Sequence, residues 1–471
     1  MAFGLKERGG RARARRVSGG GSGLAVAAAP TMLLGRLQEA RTLLALRPYR
    51  LLFTARVLSL TGTAVAPIAL AFAVLQLNGR PDRQAGSLGL VLAAGMLPRI
   101  ALLPVGGVVA DRFRRDRVLV ATNLTCALAE AVTVVLLVTG AARLWHLAAM
   151  SLLCGTAAAF AMPASESLVA HSVPDSLRYP ATVLLMAAQN SVKVGGPALG
   201  GVLIAVAGST WLIAWDALTF IASAVLLARI GSAPASSRRP RTAGALPGRE
   251  PAGLIRFLVD LGEGWIDLRS RPWLCLLVAH AAFVAPIWMV GYQLMGPLYS
   301  ARHLGGAGPW GKAMAAFAVG LLAGAAAAFV MRPHRVWPVV CASTAAQALP
   351  LGAMALRWPV PALIGATALA GVGTALYAAL WGPLLQQELP PDRLSRAVAN
   401  SAIAQLLPIP AAYLLAGPAT HLFGPRTVMA AGALALTLAA VLPPFARRIR
   451  TLTLIPSRPG KAAGRTPRQT A

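Results

Sequence analysis

Glu130 stands near the centre of the apolar run 118–140, and it is the only acid so placed in this chain. A carboxyl group deep among apolar residues is costly to keep, so it reads first as a functional group, here one that takes up and releases a proton. The competing reading makes it a structural partner for a neighbouring helix. Two cations sit deep in runs of the same half, Arg99 in 87–109 and Lys193 in 181–207, and either could pair with Glu130 or meet an anionic ligand. Asp216, near one end of the run 211–230, reads as a packing or capping residue. His280 in 273–299 is a second proton candidate, because imidazole titrates near neutral pH; a neutral core histidine is the alternative. Gln189, Asn190, Tyr292, Gln293, Tyr377, Trp381, Asn400 and Gln405 add polar and aromatic groups to other runs. An apolar cavity with a few such groups suits an amphipathic ligand, although helix packing explains each of them equally well.

The runs that carry these residues set the fold. Only 13% of the 471 residues are charged and 56% are hydrophobic, whereas soluble proteins are about a quarter charged. Apolar runs recur at 52–76, 87–109, 118–140, 144–164, 181–207, 211–230, 273–299, 310–331, 337–356, 360–385, 397–421 and 426–446. Backbone groups in lipid must be satisfied internally, and these runs are continuous rather than alternating, so the expectation is an all-α membrane protein with twelve transmembrane helices.

The net charge of +29 would suggest nucleic acid in a soluble protein, but here the basic residues lie between apolar runs and without aromatic platforms, so no nucleic-acid partner is expected. Thirty-four basic residues fall on the side of the two termini, seven in the loops of the other side, and three (Arg56, Arg99, Lys193) inside runs. Basic residues collect in the cytoplasm, which places both termini there in a multi-pass protein of the cytoplasmic membrane. Arg11 to Arg16 followed by Leu24 to Leu34 could imitate a secretory or twin-arginine signal, but Pro30 and Arg36 interrupt it, so a basic tail is the expectation. Cys126, Cys154, Cys275 and Cys341 all fall in apolar runs and read as core thiols, with no disulfide and no metal site. No phosphate-binding loop, zinc-protease motif or nucleophile elbow occurs, so neither an enzyme nor a cofactor is expected.

Composition divides the chain into a disordered basic tail (1–50), a six-helix bundle (51–230), a linker (231–271) rich in Arg, Pro and Gly, a second six-helix bundle (272–446) and a second basic tail (447–471). The halves echo each other. Pro174-Asp175-Ser176-Leu177 and Pro391-Asp392-Arg393-Leu394 are 217 residues apart, and Gly155-Thr156-Ala157 and Gly373-Thr374-Ala375 are 218 apart. Two parallel six-helix repeats are a transporter architecture.

The loop after the second run reads Gly107-Val108-Val109-Ala110-Asp111-Arg112-Phe113-Arg114-Arg115-Asp116-Arg117. It resembles the signature loop of the major facilitator superfamily, with Gly107, Asp111, Arg112 and Arg115 in the matching places. Arg114 stands where that family often has glycine, and Asp116 where it often has a base. A carboxylate among basic residues at a helix end can form a charge network that breaks when two halves rock apart. Gly195-Gly196-Pro197-Ala198-Leu199-Gly200-Gly201 resembles the antiporter motif of the same family, centred on Gly196, Pro197, Gly200 and Gly201. Arg56 to Ser59 with Gly62, Pro163-Ala164, and Asp216 to Phe220 are similar to the drug-exporter branch that includes enterobactin-type and macrolide-type exporters. The resemblance spans roughly 45–450 and implies a monomeric secondary transporter that exports an amphipathic small molecule against proton entry. An importer of the same fold and a non-transporting scaffold or sensor are the alternatives.

Overall fold

The computed structural model describes residues 38–77, 80–102, 105–106, 109, 113–230, 262, 265–266, 268–331, 335–445, 450 and 452. Most of the linker and nearly all of the C-terminal tail therefore lie outside the described residues. All regular structure among those residues is helical. The helices are α1 (Arg47–Leu77), α2 (Pro81–Ala101), α3 (Arg115–Val138), α4 (Leu144–Ser172), α5 (Arg178–Ala207) and α6 (Ser209–Ala228) in the first half. In the second half they are α7 (Pro272–Met289, prolonged to Leu304 through π turns at Val290–Met295 and Ser300–Leu304), α8 (Ala307–Met331), α9 (Val336–Ala355), α10 (Val360–Glu388), α11 (Pro391–Leu406, then Pro408–Phe423) and α12 (Pro425–Val441).

A helix thus falls at each apolar run, and nine of those among the described residues are long and apolar enough to cross a membrane. α12 is apolar but only 17 residues long. Outside the nine, α2 opens on Pro81-Asp82-Arg83-Gln84, which dilutes its apolar window. The tail expected over 1–50 is shorter than that, because residues 38–45 are helical and Leu43 is fully buried beside Tyr49 and Leu52.

Local chemistry sets the ends. Proline occupies the first turn of α2, α7, α10, α11 and α12, where its missing N–H would be unsatisfied anyway. The expected eleventh span is split because Pro408 interrupts the backbone ladder after Leu407. One residue, Gly208 at φ +84°, separates α5 from α6, and one, Gly424 at φ +81°, separates α11 from α12. Both occupy a left-handed corner that glycine takes without strain, and they are 216 residues apart, in step with the sequence repeat.

The same helix pairs pack in both halves: α2 on α4 and α8 on α10, α3 on α4 and α9 on α10, α3 on α6 and α9 on α12. Between the halves, α5 packs on α8 and α2 packs on α11. We call the end bearing the starts of α1 and α7 side A and the opposite end side B. On side B a single apolar core joins both halves, running from Phe72 and Leu88 through Leu294 and Trp310 to Tyr413. On side A there are two separate cores, one around Tyr49, Leu52 and Leu168 and one around Trp273, Leu277 and Leu384. The α2–α11 contact follows this division. It runs through Pro408–Phe423, while Pro391–Leu406 packs chiefly on α7 of its own half. The two halves are sealed at side B and part towards side A.

Candidate functional site

α3 carries Glu130 and α6 carries Asp216, and the packing of these helices brings the two carboxyl groups within hydrogen-bond reach of each other. Asp216 is 1% exposed. The Thr219 hydroxyl, one turn along α6, lies 2.8 Å from the Asp216 carbonyl and 3.4 Å from its Oδ1. Gly62 of α1 covers the pair so closely that a Cβ there would overlap the Asp216 carboxylate. Cys154 of α4 flanks Glu130 and Cys126. Glu130 Oε2 is buried with no hydrogen-bond partner. Two ionised carboxylates this close repel strongly where water is excluded, so the geometry is one in which a proton can be held between them. Moving α1, α3, α4 and α6 relative to one another would change the hold on that proton.

This corrects two expectations. Arg99 is exposed and does not meet Glu130; the acid's neighbour is another acid. Asp216 is not a cap, because it sits seven residues inside α6; it is a buried packing residue against α1, α3 and α4, and its neighbour there is an acid. Periodicity marks which residues are deep in a run but not which helices will face each other.

The other candidates fall into distinct places. His280 Nε2 lies 3.2 Å from the Ala439 carbonyl and donates to it, tying α7 to α12 inside the second half. Tyr292 does not line an open cavity. It is buried in the side-B core, stacked on Trp288 at 5.0 Å and packed against Phe317 and Trp310. Gln293 accepts a 3.0 Å hydrogen bond from the Tyr413 hydroxyl. Asn400 is also buried. Tyr377 and Trp381 stack at 6.0 Å against the second side-A core, and the Tyr377 hydroxyl is buried with no hydrogen-bond partner. Gln189 and Gln405 are half-buried and Asn190 is exposed.

In the antiporter-like motif, Gly196 and Gly200 let α5 lie directly on Ala64 and Val65 of α1. Pro197, Gly201 and Lys193 are described only as turns of α5. Gly107, Asp111 and Arg112 of the signature-like loop lie outside the described residues. Its described end holds an ion pair, Arg114 Nη2 to Asp116 Oδ2 at 2.9 Å, beside a half-buried Arg115.

Sequence reasoning missed the seam between the halves. A Cβ on Gly417 of α11 would lie 2.6 Å from Gly86 Cα of α2, and one on Gly89 would overlap the Tyr413 carbonyl. Arg302 at the end of α7 closes the same seam, its Nε and Nη2 donating to Gln84 Oε1 of α2 at 3.2 and 3.1 Å. A signal existed in the three-residue spacing of Gly86, Gly89 and the small residues around them, which allows close helix approach.

Comparison with known proteins agrees with this architecture. Residues 52–407 match the Major Facilitator Superfamily profile. The multidrug efflux pump Tap of Mycobacterium tuberculosis is 26% identical over 427 residues, 87% of this chain and 96% of that protein. The uncharacterized MFS-type transporter YfiS of Bacillus subtilis is 27% identical over 222 residues; the match spans 47% of this chain and about half, 49%, of that relative. Among solved structures, a bacterial homologue of the iron transporter ferroportin in an inward-facing state aligns with TM-score 0.59 at 18% identity, covering 84% of this chain and 97% of that one. An auto-inhibited POT family peptide transporter aligns with TM-score 0.63 at 13% identity, covering 88% and 99%. These likenesses are of fold.

Proposed function

The chain belongs to the Major Facilitator Superfamily and is a multi-pass membrane transporter, and from that premise we propose that it exports an amphipathic small molecule across the cytoplasmic membrane in exchange for protons. The observation that carries this reading is the division of the apolar core, joined at side B and split at side A. Such a molecule has one end to take up a ligand and a seal to break before release, which is one state of an alternating cycle. The basic residues collect at side A, so side A is the cytoplasmic face and the sealed end is the outer face. Uptake from the cytoplasm then suits export. The likeness to a protein named as a multidrug efflux pump supports the same direction, as do the antiporter-like glycines on α5.

The Glu130–Asp216 pair supplies the proton-holding group that exchange requires, with no cofactor or metal. The ligand meets the polar and aromatic groups of the parted side, among them Asn190 and Tyr377.

Orientation and export are testable separately. A cysteine introduced at Ser237 in the linker should resist an impermeant thiol reagent in intact cells and react once the membrane is opened; rapid labelling of intact cells would reverse the orientation. Expression in an efflux-deficient host should raise tolerance to at least one compound of a panel of amphipathic antibiotics and dyes, and a proton uncoupler should remove that tolerance. Increased sensitivity across the panel would point to import.

A further inference from the structure

The positive-inside rule leaves few basic residues on the outer face, seven in the loops of side B. Three of these seven, from three different connections, converge on one pocket. Arg302 with His303 ends α7, Arg357 follows α9, and Arg426 opens α12. The pocket has a cavity volume of about 150 Å³, and no acid lines it. Its floor is apolar and adaptable, with Met354 and Met429. A cavity of this size holds a ligand of roughly benzene volume, enough for an oxyanion and the first carbons attached to it.

Charge repulsion should scatter these side chains unless something negative draws them together. Topology does not call for them, since basic residues on this face oppose the expected orientation. Arg357 also takes φ +56° just past the end of α9, a left-handed position that glycine or asparagine would fill more cheaply. Arg426 Nε donates to the Ala355 carbonyl at 2.9 Å, which fixes its guanidinium at the pocket mouth. Arg302 reaches across to Gln84, with Asp82 of α2 in its electrostatic neighbourhood, so one wall of the pocket also ties the seam between the two halves. All three arginines lie at the ends of apolar helices, and the end of a helix that spans a bilayer meets the lipid headgroups.

We propose that this pocket between α7, α9 and α12 binds a phosphate group that carries an apolar tail, held by Arg302, Arg357 and Arg426 over the methionine floor. Guanidinium groups suit this ligand because they present paired donors to phosphate oxygens. The apolar methionine floor beneath the guanidinium groups favours the headgroup of an anionic phospholipid of the outer leaflet, and a free oxyanion shares the chemistry. Occupancy would engage Arg302 and so weigh on the side-B seal. The site itself does not depend on the direction of transport, so it can stand or fall apart from the exporter reading.

The full-length protein in neutral detergent is titrated separately with dioleoyl-phosphatidylglycerol, dioleoyl-phosphatidylcholine and inorganic phosphate. Bound molecules are counted by native mass spectrometry. One phosphatidylglycerol site should be at least tenfold tighter than any phosphatidylcholine site. Arg357→Gln should weaken it by roughly tenfold to a hundredfold, the range expected for one charge-assisted contact, and R357Q/R426Q should remove it. R143Q, a change to a basic residue of the same face outside this pocket, controls for general attraction of anionic lipid and should leave the site intact. Arg426 also caps α9, so R357Q alone decides if the double variant does not fold. Phosphate binding lost in the same variants, without a lipid preference, would keep the pocket and assign it a free oxyanion. Phosphatidylglycerol and phosphate binding equal in wild type and R357Q would overturn the proposal.

Discussion

Gly89→Leu should lower transport at least tenfold while leaving the folded protein in the membrane at near-normal abundance. α2 and α11 belong to opposite halves, and at Gly89 the α2 backbone lies against the Tyr413 carbonyl with no room for a Cβ. A leucine there cannot be absorbed by a rotamer change, because the obstacle is backbone. The two helices must separate, and the side-B seal opens with them. Each half keeps its own side-A core, so the wedge acts on the equilibrium between states more than on folding. A cysteine at the buried position Thr420, in a background without the native cysteines, should report the change. It should react slowly with an impermeant reagent applied to side B in the wild type and rapidly in Gly89→Leu. Full transport with normal abundance in Gly89→Leu would show that the seam need not close.

The second large effect is expected at the carboxyl pair. Glu130→Gln keeps the shape of the side chain and can donate an amide N–H to Asp216, so the bundle should still assemble. It cannot exchange a proton. Uphill, gradient-driven movement of the exported compound should fall at least tenfold, while movement down its own gradient survives in part. The rival account makes the pair a fixed contact between α3 and α6, and removing one member of a buried polar pair then reduces folded protein. Membrane abundance and flux, with and without a pH gradient, separate the two. Normal abundance with an unchanged response to the gradient would remove Glu130 from the mechanism, and low abundance would assign the pair to folding.

Much of the architecture could be read from residue order. The apolar runs located α1 to α12, because a membrane demands length and apolarity in one continuous stretch; the helical residues 38–45 lie outside any such run and were not marked by it. The offset repeats announced two similar halves, and the corners at Gly208 and Gly424 show the physical basis, a left-handed turn used twice at the same place. Glu130 could be picked out because an acid in mid-run is conspicuous. Its partner could not, because charge complementarity points to a cation and only the facing of α3 towards α6 brings Asp216 there. Asp216 and Gly62 were both noticed as parts of a family-like pattern, yet their contact is a matter of helix azimuth. Tyr292 read as a cavity residue since a tyrosine in a run often lines one, but its ring serves the side-B seal with Trp288 and Phe317. The break in α11 was in plain view at Pro408, within a run whose hydropathy hid it.

Proton-driven export is tested most directly in inside-out membrane vesicles that contain the wild-type protein. A compound identified by the tolerance panel is added outside while the lumen is held acidic, and compound and lumenal pH are followed together. The expected result is accumulation of the compound in the lumen against its own gradient by at least tenfold, with protons leaving in step and both movements stopped by a protonophore. Accumulation that persists after the protonophore, or movement of compound out of the lumen as protons flow, would contradict proton-driven export.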